Sequence, residues 1–269
     1  MKTTPDRDRN AYELARGYLL TIPGVTEIIV EKYQNLPSSR PKPASKNEIY
    51  RRLLDSAQNA NMKAKVVGDA IGGVERLALI SNNFDPNYVL KTYGDWEAVL
   101  DQIEEKLSPR GKIRRTSRSI WPRYCQTILS AAEFIDQFNS ADEFFEWANY
   151  LDKDDHCRAG LAMILDHEIK GFGFALACNF LKELGYVNFP KPDVHLRDIF
   201  AALELCENEA DDYRLFKAII RVAKNAGVTP YALDKIFWLI GSGNFYDDPE
   251  VGSIGSRQRD FIEFALSRM

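Results

Sequence analysis

Long hydrophobic runs are absent from this chain of 269 residues. The longest, such as residues 236–240, fall far short of the roughly 20 apolar residues that a membrane-spanning helix needs. The first ten residues are polar and contain no apolar stretch typical of a secretory signal. Glycine (16) and proline (12) are too few for a collagen-like or low-complexity fibre, and a hydrophobic content of 45% argues against disorder. We therefore expect a globular cytoplasmic protein with no membrane association.

Cysteine is scarce, and its four positions are widely separated: Cys125, Cys157, Cys178 and Cys206. No Cys-x-x-Cys motif and no Cys/His cluster with metal-ligand spacing occurs among them. His156 beside Cys157 is the nearest approach to a metal-binding pair. The sequence therefore offers no ligand set for zinc or for an iron–sulfur cluster, and we predict reduced, mostly buried thiols and no metal.

Positive charge is in slight deficit overall, because the formal net charge is -4 and the sequence pI is about 5.6. This balance argues against a protein that covers nucleic acid with its whole surface, although a local basic patch remains compatible with it. Residues 106–124 supply such a patch, since no acidic residue interrupts seven cations: Lys106, Arg110, Lys112, Arg114, Arg115, Arg118 and Arg123. The interleaved Trp121 and Tyr124 suit base stacking while the cations neutralise phosphates. The alternative is a solvated basic loop.

Apolar residues recur at helical spacing along most of the chain. Ile49, Leu53, Leu54 and Ala57 fall on one helical face, and similar patterns continue to the C-terminal segment. Ser140 and the Thr229-Pro230 pair have the residue types that begin helices. The best strand signal is residues 25–31 (VTEIIVE), which is too isolated to build a sheet. The sequence predicts a nearly all-α protein.

Residues 168–200 are the most informative segment. Gly171 and Gly173 stand between two helical stretches, where they permit positive φ angles and the close approach of another backbone. A helix that begins near Phe174 directs its unpaired N–H groups and the positive end of its dipole out of this hairpin. Such an arrangement suits a phosphate group, and an ordinary tight turn between helices is the alternative.

Two sequence matches extend this observation. Residues 171–177 (GFGFALA) followed by residues 192–196 (PDVHL) resemble the helix-hairpin-helix DNA glycosylase superfamily, whose hairpin reads roughly L-P-G-V-G-x-K-x-A and whose catalytic aspartate lies in V-D-T-H-[VI]. Asp193 matches that aspartate and His195 the histidine two residues later. Residues 53–60 (LLDSAQNA) are similar to the L-L-S-A-Q-A-T segment of endonuclease III relatives, in which the glutamine enters the duplex where the target base leaves. Gln58 takes that position here.

The resemblance implies an architecture of two all-helical lobes with a DNA-binding cleft between them. Residues 47–188 would form the lobe that carries the hairpin, and residues 1–46 with 189–269 the second lobe. It also implies double-stranded DNA as the partner of a monomeric protein, which would be nucleoid-associated in a bacterium or archaeon. No cofactor is expected, and a monovalent cation at the hairpin is the alternative. No iron–sulfur cluster is expected, since only Cys206 follows the aspartate.

The activity that the resemblance implies is that of a DNA N-glycosylase, which flips out and excises a damaged or modified base. Asp193 would stabilise the oxocarbenium ion and activate water, although an aspartate directly before a helix is also a natural N-cap. Ala175 occupies the position of the family's Schiff-base lysine, 18 residues before Asp193, so a monofunctional enzyme is predicted. The alternatives are a bifunctional glycosylase/lyase with a relocated lysine (Lys170, Lys182 or Lys191) and a non-catalytic DNA-binding protein.

The remaining candidate residues are contacts to DNA or to the extruded base. Predicted DNA contacts are Gly171, Phe172, Gly173, Phe174, Gln58, Lys191, His195, Arg114, Arg115 and Arg118. Aromatic candidates for a base pocket are Tyr50, Trp121, Tyr124 and Trp147, each of which is also a natural core residue in a helical protein. The sequence does not indicate which base is removed.

Overall fold

A computed structural model describes residues 4–36, 41–58 and 66–269. Its regular structure is almost entirely helical, which confirms the all-α prediction. The described helices are α1 (Pro5–Leu20), α2 (Glu27–Asn35), α3 (Lys46–Ala57), α4 (Val66–Ile71), α5 (Ala78–Ser81), α6 (Pro86–Thr92), α7 (Trp96–Leu107), α8 (Ile120–Asp136), α9 (Ala141–Asp152), α10 (Arg158–Glu168), α11 (Phe174–Glu183), α12 (Val194–Ala202), α13 (Asp212–Ala226), α14 (Pro230–Ser242) and α15 (Gln258–Leu266). A 3-10 helix (Val74–Leu77) and a short antiparallel pair, β1 (Asn244–Phe245) with β2 (Gly252–Ser253), complete the described elements.

The helices group into two compact units. Unit 1 comprises both ends of the chain, Met1–Arg40 and Gly185–Met269, and unit 2 is the contiguous segment Pro41–Leu184. The hairpin between α10 and α11 lies in unit 2, and Asp193 lies in unit 1. The boundaries expected from sequence were at residues 47 and 189.

Unit 1 is built around the packing of α1 and α14 against α13. The amphipathic α13 buries Leu215, Ile219 and Val222 in a core that α1 completes with residues such as Leu19. A buried carboxylate joins the two helices, because Asp8 is fully buried and accepts hydrogen bonds from Arg221. This pairing satisfies a charge that would otherwise be costly to bury.

Unit 2 is organised around α8, which contacts α3, α6 and α7. Two buried tyrosines link α3 and α8, since the hydroxyl of Tyr50 donates to the Ile128 carbonyl (2.8 Å) and that of Tyr124 to the Leu54 carbonyl (3.0 Å). Burial raises the pKa of both phenols well above the usual value. The two side chains therefore fix the spacing of α3 and α8 inside the unit.

The local signals for helix starts are confirmed at two positions. The Ser140 hydroxyl accepts from the Glu143 N–H at the start of α9 (3.2 Å), and the Thr229 hydroxyl accepts from the Ala232 N–H at the start of α14 (3.1 Å). Pro230 is the first residue of α14, as predicted. Capping of this kind satisfies N–H groups that have no partner inside the helix.

The strand prediction at residues 25–31 is wrong, because α2 begins at Glu27. The Thr26 hydroxyl accepts from the Ile29 N–H and caps the helix. Val30 and Tyr33, one turn apart, are both fully buried, whereas Ile28 is exposed. The β-branched residues favoured a strand, but a cap and one buried helical face outweigh that intrinsic preference.

The four cysteines are reduced and form no disulfide, as predicted. Cys125 and Cys178 are buried, Cys206 is partly buried and Cys157 is exposed, so Cys157 is the exception to the prediction of mostly buried thiols. Within the described residues, no cluster of three or more His, Cys, Asp or Glu side chains is placed to hold a metal ion. In the same part of the chain, no helix has the length and apolar character needed to cross a membrane.

Candidate functional site

The hairpin between α10 and α11 has the geometry that its two glycines predict. Gly171 adopts φ +77° and Gly173 φ +59°, and α11 begins at Phe174, as expected. A Cβ atom at Gly171 would lie 3.3 Å from Thr127 Oγ1, so this glycine also permits a close contact with α8. Both glycines are exposed, and the first N–H groups of α11 have no acceptor within the helix. The turn therefore presents a backbone surface suited to an anion.

Two hydroxyl side chains of α8 hold this turn in place. Thr127 Oγ1 donates to the Lys170 carbonyl (2.6 Å), and Ser130 Oγ accepts from the Lys170 N–H (2.9 Å). Both main-chain groups of one hairpin residue are thus fixed by one helix. Sequence reasoning missed these two residues, although polar side chains on the apolar face of α8 were a visible signal. A monovalent cation at the turn stays a prediction.

The two phenylalanines of the hairpin are core residues. Phe172 is fully buried, its ring lies 6.1 Å from that of Phe180, and its N–H donates to the Ile169 carbonyl. Phe174 is buried too. Both rings anchor the turn to the interior of unit 2, so a contact of Phe172 or Phe174 with DNA would be made by the main chain, and this contact stays a prediction.

Asp193 is the N-cap of α12. Its Oδ1 atom accepts from the N–H groups of His195 (3.0 Å) and Leu196 (3.2 Å), which confirms the capping role. Both hydrogen bonds end on Oδ1, so Oδ2 lies outside the cap interaction. Burial raises the pKa of Asp193, and the nearby Asp234 raises it further, while Lys191 acts in the opposite direction. The carboxylate is thus a stronger base than an ordinary aspartate.

Asp234 is a second carboxylate that sequence reasoning missed. It lies on α14 and is only 2% exposed, and its Oδ2 accepts from the Lys191 N–H (2.8 Å). The Lys191 carbonyl in turn accepts from the Asp193 N–H (2.8 Å). The main chain of Lys191 therefore connects the two acids. An acidic residue within the apolar stretch of α14 was the available signal.

His195 is packed closely against α14. A Cβ atom added at Gly241 would lie 2.5 Å from His195 Cβ, so only glycine permits this approach of the two helices. His195 is partly buried, and its imidazole is positioned by this packing. Its predicted DNA contact stays a prediction.

Gln58 ends α3 with its side chain turned into unit 2. It is 4% exposed, and its Nε2 donates to Asp55 Oδ1. Gln58 Oε1 is buried without a hydrogen-bond partner among the described residues, and a Cβ at Gly68 would lie 2.3 Å from that atom. In this conformation the side chain does not project from the surface, so insertion into DNA would require it to turn outward, and the insertion stays a prediction. Asn59 and Ala60 of the same motif lie outside the described residues.

The basic segment divides into exposed and internally paired cations. Arg114, Arg115 and Arg118 are all exposed, and Arg115 alone of the three forms ion pairs, with Asp101 (2.7 Å) and Glu104 of α7. A phosphate would have to displace these two exposed carboxylates from Arg115, and the predicted DNA contact of this residue stays a prediction. Arg110 fastens the segment to α4 through its N–H and Nη2 groups, which donate to the carbonyls of residues 70 and 69.

The aromatic pocket candidates are mainly structural. Tyr50 and Tyr124 are wrong as pocket residues, because both are buried and their hydroxyl groups bond to main-chain carbonyls of unit 2. Trp121 is also buried, at 7% exposed, and Trp147 packs edge-on against Phe134. A base-binding role for either tryptophan remains a prediction.

The position of the family's lysine is occupied by Ala175, which is partly exposed in the first turn of α11. Among the lysines considered as replacements, Lys182 is buried at 8% exposed, Lys170 is exposed and Lys191 is partly exposed. Burial makes Lys182 a poor nucleophile in this conformation, since an attacking amine must reach the sugar.

Solved structures of 8-oxoguanine DNA glycosylases have the same fold as this chain. The 8-oxoguanine glycosylase/lyase of Methanocaldococcus jannaschii, in complex with 15mer DNA containing 8-oxoguanine, matches 87% of this chain and 97% of its own, with a TM-score of 0.52 and 14% identity.

Two further solved structures have the same fold as this chain. A second structure of the 8-oxoguanine DNA glycosylase from M. jannaschii covers 88% of this chain and 94% of its own (TM-score 0.51, 15% identity). The 8-oxoguanine DNA glycosylase of Thermotoga maritima covers 88% of this chain and 98% of its own (TM-score 0.50, 16% identity). At these identities the likeness establishes the fold. No protein-family model matches the sequence, and no curated protein matches it.

Proposed function

We propose that this protein is a DNA N-glycosylase that acts on double-stranded DNA as a monomer. The observation that carries the proposal is Asp193, a partly buried carboxylate with a raised pKa at the start of α12. Capping of α12 uses only the Oδ1 atom, and simple DNA binding requires the hairpin but no carboxylate near the sugar. The fold shared with solved DNA glycosylases supports the same activity.

In the proposed mechanism the target nucleotide leaves the duplex, at a cost of a few kcal/mol. Main-chain N–H groups of the hairpin bind phosphate and fix the register of the DNA. As the N-glycosidic bond breaks, the sugar gains oxocarbenium character, which the Asp193 carboxylate stabilises. Its raised pKa also suits it to accept a proton from the attacking water, through the Oδ2 atom that capping does not use.

We propose that the enzyme is monofunctional. A lyase step needs an amine that attacks the sugar and forms a Schiff base, and Ala175 cannot supply one. The M. jannaschii neighbour is a glycosylase/lyase, so this chain would differ from it in the chemistry that follows base release.

The proposed substrate class is an oxidised purine, with 8-oxoguanine as the first base to test. All three structural neighbours are 8-oxoguanine glycosylases by name. A panel of duplexes that also contains alkylated and deaminated bases tests whether the enzyme prefers another lesion.

The decisive experiment is release of free base from lesion-containing duplexes, measured by mass spectrometry for wild type and Asp193→Asn. Half of each sample then receives hot alkali. The proposal expects release by wild type, loss of release in Asp193→Asn, and strand breaks only after alkali. Binding without release from any lesion would instead favour a non-catalytic DNA-binding protein.

A second experiment tests the missing lysine. Borohydride should trap no covalent protein–DNA adduct with wild type, because only an amine adduct is reduced. Ala175→Lys restores the family's residue at its usual position, and we expect it to produce a trapped adduct and alkali-independent strand breaks. Trapping by wild type would contradict the monofunctional proposal, and Lys170→Ala and Lys191→Ala would then identify the amine.

A further inference from the structure

Unit 1 contains a cavity of about 910 Å³ that the proposed reaction does not use. It lies between the C-terminal end of α12 and the exposed face of α13, and the loop of residues 203–211 forms one wall. Ala201 lines it, and this residue is about 12 Å from Asp193 along α12 at a rise of about 1.5 Å per residue. The cavity is therefore separate from the candidate catalytic carboxylate, and its size is that of a small-ligand site.

The floor and the rim of this cavity differ in chemistry. Leu205, Ala210 and Ala218 give the floor buried apolar atoms, and the exposed ring of Tyr213 stands at the side. An aromatic ring next to an apolar floor suits a flat heterocycle, which stacks on one and covers the other.

The charges on the rim leave an unneutralised cation. Arg221 is bound to the buried Asp8, and Glu204 is paired with Arg7 (3.0 Å). Arg214 and Glu207 are 3.8 Å apart, and both are mostly exposed, so their pairing is weak and easily exchanged.

Lys217 has no acidic partner among the described residues. The only described contact of its ammonium group is the Tyr213 ring, 5.9 Å away. The rim thus offers Lys217 and Arg214 to an anionic group beside the aromatic wall.

We propose that this cavity binds a nucleoside monophosphate. The phosphate is held by Lys217 and Arg214, and the base stacks on Tyr213 above the apolar floor. The ligand is either a free nucleotide or the 5′-terminal nucleotide of a DNA strand, since both present the same phosphate and base. This site is independent of the proposed glycosylase activity, so each proposal can fail alone.

Isothermal titration of the full chain with deoxyadenosine monophosphate tests the proposal, with deoxyadenosine as the uncharged probe. We expect saturable binding of the monophosphate and at least about tenfold weaker binding of the nucleoside, because charged hydrogen bonds to phosphate are lost. Lys217→Ala and Tyr213→Ala should each weaken monophosphate binding by about tenfold, and Tyr213→Phe should retain it.

Lys224→Ala is the matched control, because Lys224 is an exposed cation on α13 that does not line the cavity. It should bind the monophosphate like wild type. The proposal is overturned if wild type shows no saturable binding, if deoxyadenosine binds as tightly as its monophosphate, or if Lys224→Ala weakens binding as much as Lys217→Ala does.

A further titration with a 5′-phosphorylated single-stranded oligonucleotide distinguishes a free nucleotide from the 5′ end of a DNA strand as the ligand. Tighter binding of the oligonucleotide than of the monophosphate, lost on removal of its 5′-phosphate, assigns the site to a DNA end. Tighter binding of the monophosphate assigns it to the free nucleotide. Thermal unfolding of each variant, followed by circular dichroism, verifies that the fold is retained.

Discussion

Asp193 is required by the fold and by the proposed chemistry at the same time. Its Oδ1 atom caps α12, and its charge is partly buried beside a second acid. The capping function depends on an oxygen acceptor, whereas the chemical function depends on ionisation. Two substitutions at this position can therefore separate the roles.

We expect Asp193→Asn to preserve the free energy of unfolding and Asp193→Ala to lower it by about 1 kcal/mol, because asparagine caps as well as aspartate and alanine does not. Urea denaturation at neutral pH measures both values. Base release should be lost in both variants. Equal destabilisation by the two substitutions would show that the charge, rather than the cap, holds the start of α12.

Asp234 should set the pH dependence of the proposed reaction. The carboxylate of Asp193 must be ionised to act, so base release is lost as pH falls through its raised pKa. Asp234→Asn removes a neighbouring negative charge and still offers an oxygen to the Lys191 N–H, so the pKa of Asp193 falls and the acidic limb moves to lower pH. Single-turnover base release measured against pH tests this shift.

Asp198→Asn is the control for that measurement. Asp198 is an exposed acid on α12, and its side chain accepts a hydrogen bond from Gln258 Nε2. Its acidic limb should coincide with that of wild type. A specific role for Asp234 is contradicted if the acidic limb of the pH profile is unchanged in Asp234→Asn. It is also contradicted if the limb shifts equally in Asp234→Asn and Asp198→Asn.

The role of a single residue could be predicted from the sequence where a local motif identifies it. It could not be predicted where the role depends on tertiary packing. Asp193 followed from its position before a helix and from the family's motif. Asp234 lies far along the chain and meets Lys191 only because α14 packs against α12. Arg115 looked like one more cation of a basic segment, and its pairing with α7 follows from a turn that the sequence does not specify.

Among the elements, the hairpin between α10 and α11 depends most on main-chain conformation for its proposed contact with DNA. Gly173 has φ +59°, and no atom lies within 4 Å of a Cβ placed there, so alanine meets backbone strain alone. We expect Gly173→Ala to weaken duplex binding by about tenfold, since φ +59° with ψ 150° is a conformation that glycine alone adopts readily, and the strain of about 1–3 kcal/mol is relieved by moving N–H groups away from phosphate. Fluorescence anisotropy with a labelled duplex measures the affinity.

Gly227→Ala supplies the comparison for Gly173→Ala. Gly227 ends α13 in the left-handed helical region (φ +72°, ψ 27°), and a Cβ there also has open space, so alanine is strained in an element without a proposed DNA contact. Its duplex affinity should equal that of wild type. Equal weakening in the two variants would mean that lost stability, not lost contact geometry, accounts for the effect.

The types of the elements were more predictable than their contacts. Helix periodicity and caps such as Ser140 and Thr229 identified long helices correctly, because those signals are local. Residues 25–31 misled because their β-branched side chains favour a strand, while burial of Val30 and Tyr33 on one face decides for a helix. Gln58 likewise looked like an exposed residue until Gly68 of α4 provided space for its side chain.

At the scale of the whole molecule, positive charge is segregated rather than abundant. The net charge is -4, yet Arg114 and Arg118 are exposed within a segment that contains no acid. If each arginine contacts one phosphate, Arg114→Ala/Arg118→Ala should reduce the slope of log affinity against log salt concentration by about 2. Duplex titrations between low and moderate salt measure the slope.

The control for this prediction is Arg115→Ala, because Asp101 and Glu104 already neutralise that side chain. Its slope should match that of wild type, since no counterion is displaced by a cation that is paired within the protein. A slope unchanged in Arg114→Ala/Arg118→Ala would exclude this segment from the DNA interface.

The construction of unit 1 from both ends of the chain imposes an order on synthesis. Unit 2 is contiguous and can complete its fold while the ribosome is still working, whereas α1 must await α13. Asp8 and its partner Arg221 are 213 positions apart. At a translation rate of about 5–20 residues per second, Arg221 is therefore synthesised roughly 10–40 s after Asp8. Throughout that interval the apolar face of α1, including Leu19, is available to chaperones and to neighbouring nascent chains. The helix α1 is thus translated before unit 2 and packed after it.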